Sequence, residues 1–334
     1  ASRARLTTGE IEGRVVDGVH RFLGIPYAEP PFGANRFVLP VPRSAWDGVR
    51  PATAYGPICP QTGGAFNGDV PDEGEDCLSL NVWTPDPGTS GLPVMVWAHG
   101  GGQVAGTGAS AFYDGTQFAK DGVVLITCNR RLGAEGYLYL PEHFGDGVGP
   151  GNLGIEDLIE VLRWVQANAR AFGGDPDKVT LFGESGGGAA TQAVAAMPAA
   201  QGLLHRVIPQ SGGHAAQYAE SASAITAIAM EELGIRAGDL EALRAIPWTR
   251  FAEIYDALQS SGHGKPQVYI PVISEAMPEH PVDATFAGMG ADIDYLIGTC
   301  RDEYRLFATM TMGREDTPFH DRANRLVEAG GGGR

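Results

Sequence analysis

No apolar run in the 334 residues approaches 18, so no segment reads as a bilayer-spanning helix. A positive charge excess is missing too. Asp and Glu outnumber Lys and Arg by 40 to 24, a net charge of −16. No nucleic-acid partner is expected, because neutralising phosphates needs a basic stripe. Lysine is nearly absent, at Lys120, Lys178 and Lys265 only, and this skew towards arginine reads as base composition, not function. Cysteine is scarce, and four are too few for a disulfide scaffold. None has zinc-ligand spacing, and no metal or cofactor is expected. The first ten residues, Ala1–Glu10, lack the apolar core of a secretion signal, as a mature secreted form also would.

What is present is globular. Hydrophobic residues make up 43% and charged residues 19%. Glycine is abundant, at 48, without a collagen period, which implies many tight turns. Cys59 and Cys77 are separated by 17 residues in a Pro/Gly-rich stretch, compatible with one closed loop. Cys128 and Cys300 each end an apolar run and read as buried free thiols.

Glu10–Val16 and Val19–Ile25 alternate and meet at Asp17-Gly18, which predicts a hairpin. Residues 26–75 read as loops. Leu80–Trp83, Val94–Ala98, Val123–Cys128, Val179–Phe182, Arg206–Ile208 and Tyr295–Thr299 read as strands. Gly154–Ala171 has helical period, with Ile155, Leu158, Ile159, Leu162 and Val165 on one face. Gly186–Ala196, Ser221–Leu233 and Asp239–Ala245 also read as helices. Strands alternating with helices predict an α/β fold with a mainly parallel central sheet flanked by helices, after an N-terminal β-hairpin.

The strongest motif is Gly183-Glu184-Ser185-Gly186-Gly187, a G-x-S-x-G between a strand and a helix. A serine on that sharp turn stands clear of the sheet, and small residues two before and two after relieve the crowding. Ser185 also opens a helix, whose first amides favour a developing anion. His99-Gly100-Gly101-Gly102 directly follows the strand Val94–Ala98. Backbone amides reach a tetrahedral oxyanion only where no side chain intervenes, and the matching donor is the Gly186 amide. His99 reads as a residue tying this loop, not as a base.

Together these residues resemble the type-B carboxylesterase and cholinesterase family of α/β-hydrolases. The resemblance rests on Phe22–Ala28, Glu75–Trp83, His99–Gly102, Asn152–Gly154, Phe172–Pro176, Gly183–Gly187, Gln210–Gly212 and Gly298–Glu303. It implies the α/β-hydrolase fold over residues 1–334 as a single domain. It implies Ser185 as nucleophile, Gly101, Gly102 and Gly186 as oxyanion donors, and Glu303 as the acid orienting a histidine. Asp302 is the alternative acid. Ser211 resembles the buried polar residue near the family's triad. Cys59 and Cys77 resemble its N-terminal disulfide. Arg36 with Glu75, and Arg131 with Asp175, resemble its structural ion pairs.

The chain departs from the family pattern at five positions. Gln103 replaces the aromatic residue after the glycine run, and Arg130 replaces tyrosine in N-Y-R-L-G. Gly186 replaces an alanine, which is expected to loosen the turn. Glu135 and Glu156 stand where apolar residues are common. The polarity of the acyl pocket wall is thereby put in question.

The triad also needs a base, and the α/β-hydrolase order is Ser, acid, His. After Glu303 the sequence carries one histidine, His320, in a segment resembling a helix entry. The family's G-x-x-H segment is not found. Arg322–Ala329 resembles a late family helix, so the fold reads as incomplete, with an internal segment missing after Phe307 and the C-terminal part lost. Unrepresented residues, a truncated chain, or His320 as substitute base each account for this. An intact elbow and glycine run favour the first, and His320 is expected to lie away from Ser185.

The resemblance implies a serine carboxylic-ester hydrolase acting on small-molecule esters. A non-catalytic cholinesterase-like interaction protein is the alternative, and peptidase or lactamase chemistry is possible on the same fold. A disulfide favours a secreted or periplasmic location and its absence the cytoplasm. The sequence does not name the ester or the oligomeric state.

Overall fold

The structure, a computed structural model, describes residues 1–62, 69–213, 215–260 and 268–303. Strands β2 (Glu10–Val16) and β3 (Val19–Pro26) form the expected antiparallel hairpin. Its turn holds Asp17 at φ 51° and Gly18 at φ 79°, the left-handed pair that Asp-Gly tolerates best. Strand β1 (Ser2–Arg5), which the sequence reading did not assign, pairs antiparallel with β2. A short β4 (Val49–Pro51) adds to β2 within the stretch read as loops.

Further strands are β5 (Ser79–Thr84), β6 (Leu92–Ala98), β7 (Val124–Cys128), β8 (Gly174–Glu184) and β9 (Arg206–Gln210). Strands β10 (Gln217–Tyr218) and β11 (Val272–Ile273) form a separate parallel pair, and β12 (Asp294–Tyr295) returns to the main sheet. Among the described residues that sheet has the order β1-β2-β3-β5-β7-β6-β8-β9-β12. It is mixed. The half from β1 to β7 is antiparallel along this path, and the half from β7 to β12 is parallel. Every residue of β5 and β7 is buried, as expected of central strands covered on both faces.

Helices α1 (Thr116–Lys120), α2 (Gly133–Tyr137) and α3 (Pro141–Phe144) lie in the connections around β7. Helix α4 (Leu153–Asn168) then leads to β8, and α5 (Gly186–Ala195) follows it. The predicted apolar face of α4 is fully buried at Ile155, Leu158, Ile159, Leu162 and Val165. No helix among the described residues is long and apolar enough to cross a membrane.

Three expectations are corrected. The late strand is shorter than Tyr295–Thr299: it is Asp294–Tyr295, and Leu296 and Ile297 beyond it stand 66% and 61% exposed. Hydrogen bonds from Leu296 N–H to Val207 O and from Ser211 N–H to Gly298 O still hold the segment beside β9. The ion pairs are also different. Arg36 pairs with Glu135, and Arg131 with Asp157 at 2.7 Å. All four side chains are buried, whereas Glu75 is exposed and Asp175 pairs with Lys178. A buried carboxylate compensates the charge of each of these two buried guanidiniums, which a surface acid would not do. The odd Glu135 is thus the counter-ion of Arg36.

The third correction concerns the cysteines. Cys59 and Cys77 are buried but not bonded to each other, and all four cysteines are free. The reduced pair fits the core without a bridge, because the Cys59 thiol donates to the Cys77 carbonyl oxygen at 3.8 Å. Burial pushes the Cys59 thiol well above its ordinary range and that of Cys128 up to about 12. Cys300 is exposed, against expectation, in the segment that follows β12, the last strand of the sheet among the described residues. Titration of denatured, unreduced protein is expected to find four thiols per chain. Two would mean that Cys59 and Cys77 are joined.

Glu156, on α4, is 5% exposed. Burial pushes its carboxyl up to about 7, with Arg163 pulling the other way. Between its unfolded value of 4.5 and this one, the folded chain holds a proton that the unfolded chain has released. Stability from this group therefore declines as pH rises from about 4.5 to about 7 and stays low above. Glu156→Gln should leave Tm unchanged at pH 4 and raise it at pH 8, by the equivalent of on the order of 3 kcal/mol. An equal effect at both pH values in calorimetry would rule out the buried charge as its cause.

Candidate active site

Strand β8 runs straight into the turn. Ser185 sits there at φ 54° and ψ −122°, and α5 begins at the next residue. A non-glycine residue in such a conformation costs on the order of 1–3 kcal/mol and persists only where its surroundings hold it. Here Ser185 N–H donates to Gln210 O, and Ser185 O accepts from Ala189 N–H, both at 2.9 Å. The flanking glycines are needed for space. A Cβ on Gly183 would lie 2.6 Å from Ala98 O, and one on Gly187 2.6 Å from His99 O. The small residues are where the elbow geometry requires them.

The glycine run leaves β6 beside this turn. His99 is fully buried, and its Nδ1–H donates to Gly100 O at 2.8 Å, since a carbonyl can only accept. Burial, and then the charge of Arg130, pushes its pKa down to about 3. The ring is neutral and enclosed, so it ties the loop, as the sequence suggested. Gly101 at φ 107° and Gly102 at φ 62° make a left-handed bend. Val104 N–H and Ala105 N–H close it onto Gly101 O, both at 3.1 Å. A Cβ on Gly100 would lie 3.4 Å from Ser185 Cβ, and one on Gly186 only 2.8 Å from Gly102 N. The structure therefore brings Gly102 and Gly186 together beside Ser185.

Glu303 reaches the same sheet edge from the segment after β12. Its carboxylate accepts from the Ser211 hydroxyl and from Cys300 N–H. The Ser211 bond, then the Cys300 bond, hold its pKa below the ordinary value. Ser211 follows the last residue of β9, Gln210, which binds the Ser185 amide. Ser185, Ser211 and Glu303 thus share the C-terminal ends of neighbouring strands. The Glu184 carboxyl is raised by burial and then by the charge of Glu303. Sequence spacing alone carried no sign of that coupling.

Among the described residues no imidazole hydrogen-bonds Ser185 or Glu303. His20 bonds Ser2, His143 bonds Ser223, His205 accepts from Val179 N–H and His280 caps Val282. The expectation for His320, and that of a break between Phe307 and Arg322, lie outside the described residues.

The family model described as the carboxylesterase family matches residues 1–329. The chain belongs to the carboxylesterase family. It is 41% identical over 311 residues to a para-nitrobenzyl esterase of Bacillus subtilis, covering 90% of this chain and 63% of that one. To a phenmedipham hydrolase of Pseudarthrobacter oxydans it is 40% identical over 314 residues, covering 90% and 61%. This carboxylesterase-family chain therefore spans about three-fifths of the length of these curated relatives. A crystal structure of the Geobacillus stearothermophilus carboxylesterase EST55 superposes with a TM-score of 0.87 at 38% identity, covering 98% of this chain and 69% of that one. A structure of PNB esterase gives 0.87 at 37%, covering 98% and 68%. The fold is that of the α/β-hydrolases.

Proposed function

We propose that residues 1–334 belong to a single α/β-hydrolase domain of a serine carboxylic-ester hydrolase, with Ser185 as nucleophile. A base takes the Ser185 hydroxyl proton, and the oxygen attacks the ester carbonyl carbon. The carbonyl oxygen becomes an oxyanion facing the amides of Gly101, Gly102 and Gly186, aided by the N-terminus of α5. Collapse expels the alcohol, which takes the proton from the base. Water then attacks the acyl-enzyme by the same route and releases the acid. Glu303 orients the base, an imidazole supplied from outside the described residues, and Ser211 holds Glu303.

The observation that carries this reading is the strained elbow at Ser185 with the Gly102 amide packed against Gly186. The names of the relatives support small carboxylic esters as substrates. The test is labelling of the purified chain with a fluorophosphonate, followed by peptide mass spectrometry. One label per chain on the Ser185 peptide is expected. A chain that takes no label defeats the reading.

A further inference from the structure

Arg130 is fully buried, yet its guanidinium meets no carboxylate among the described residues. Arg36 and Arg131, equally enclosed, each have one. Arg130 instead donates from Nη1 to Gln103 Oε1 at 2.7 Å and to Tyr137 Oη at 3.1 Å. Its Nη2 donates to His99 O at 3.0 Å. Burying a cation on neutral acceptors alone is expensive, so the position calls for an explanation beyond packing.

Gln103 supplies the second half of the pattern. It is 2% exposed and left-handed, at φ 66°. Its Oε1 accepts from Arg130 and from the Tyr137 hydroxyl, the latter at 2.9 Å. Two donors on the oxygen fix the orientation of the amide. Nε2 is thereby turned to Gly186 O, to which it donates at 2.8 Å.

One guanidinium therefore grips the residue before the glycine run, His99, and the residue after it, Gln103. Gln103 in turn grips the residue after Ser185. The three amides that face the oxyanion lie within this clamp. The absence of a side chain at position 186 belongs to the same arrangement. A Cβ there would lie 2.8 Å from Gly102 N and 3.3 Å from Gln103 N, so the clamped loop sits too close for alanine. Three departures from the family pattern, at 103, 130 and 186, thus meet at one place. Glycine at 186, expected from the sequence to loosen the elbow slightly, also leaves room for the loop to pack against it.

We propose that Arg130 and Gln103 are positioning residues that clamp the glycine run to the Ser185 elbow and so set the oxyanion donors. This rests on the esterase reading. The clamp holds groups that bind the transition state, so its loss lowers kcat and spares KM.

The experiment compares wild type with Arg130→Met, Gln103→Leu, the double variant, Arg130→Lys and Gly186→Ala on p-nitrophenyl acetate. kcat is expressed per Ser185 titrated by a fluorophosphonate, so unfolded protein does not count. Arg130→Met and Gln103→Leu are each expected to lose roughly 10- to 100-fold in kcat, below the ~10²–10³ of deleting a donor outright, with KM within about threefold. The double variant is expected to fall no further than the worse single one, because both break the same clamp. Arg130→Lys keeps the charge and part of the grip and is expected to fall between, and Gly186→Ala to lose kcat by displacing the Gly102 amide.

A purely structural role would lower Tm and the titratable fraction while leaving kcat per site at the wild-type value. That result overturns the proposal. If Arg130→Met does not fold, Gln103→Leu, which leaves Arg130 in place, decides by the same criterion. A wild type that takes no label overturns the esterase reading and this one with it. A labelled wild type with unaffected variants overturns this one alone.

Discussion

Ser185→Ala is expected to lower kcat on p-nitrophenyl acetate on the order of 10⁶-fold, while Tm moves little. The expected loss is large because the proposed acyl-enzyme route has no substitute nucleophile on the turn. What remains is the ~10³–10⁴ over water that an oxyanion site and substrate binding supply. Stability is spared for local reasons. The Ser185 side chain makes no capping bond to α5, and the turn is held by backbone bonds to Gln210 and Ala189. Alanine at φ 54° carries the same kind of backbone strain as serine. Steady-state kinetics and calorimetry on one preparation check both halves. Turnover at a tenth of wild type or more would remove Ser185 from the role.

The parts of this molecule that were legible in its sequence are local. The hairpin was readable because Asp17-Gly18 carries its own turn geometry. The elbow was readable because a G-x-S-x-G must sit between a strand and a helix to be crowded, and the crowding falls on Gly183 and Gly187 as predicted. The buried face of α4 was readable from its period. The illegible parts depend on what meets what across the fold. Arg36 and Glu135 lie 99 positions apart, and only burial selects that carboxylate over the exposed Glu75. Gln103 and Arg130 stood out as polar departures from the family. That they bond each other, and Gly186, follows from the convergence of β6, β7 and β8, not from their spacing. Glu303 entered as a candidate acid only through the resemblance, since an acid in an exposed segment has no periodic signature.

The same contrast separates two adjacent acids. Glu303→Gln is expected to lower kcat roughly 10⁴-fold, and Asp302→Asn to change it by less than about threefold. The carboxylate of Glu303 is turned to Ser211 and the Cys300 amide at the end of β9. Asp302 Oδ2 lies 4.0 Å from Arg301 Nε, and both side chains are exposed. Glutamine keeps the size of Glu303 but replaces one oxygen with a donor. An imidazole facing it is held in the wrong tautomer, and the imidazolium formed during attack loses its counter-charge. The bonds from Ser211 and Cys300 hold Glu303 ionised to lower pH than an ordinary glutamate. The group is therefore already charged wherever a histidine titrates. The acidic limb of kcat/KM in the wild type is expected to follow an imidazole near pH 6–7, not a carboxylate near 4–5. An acidic limb at carboxylate pH would count against that division of labour. An Asp302→Asn loss of 100-fold beside a near-normal Glu303→Gln would move the acid one residue along the chain.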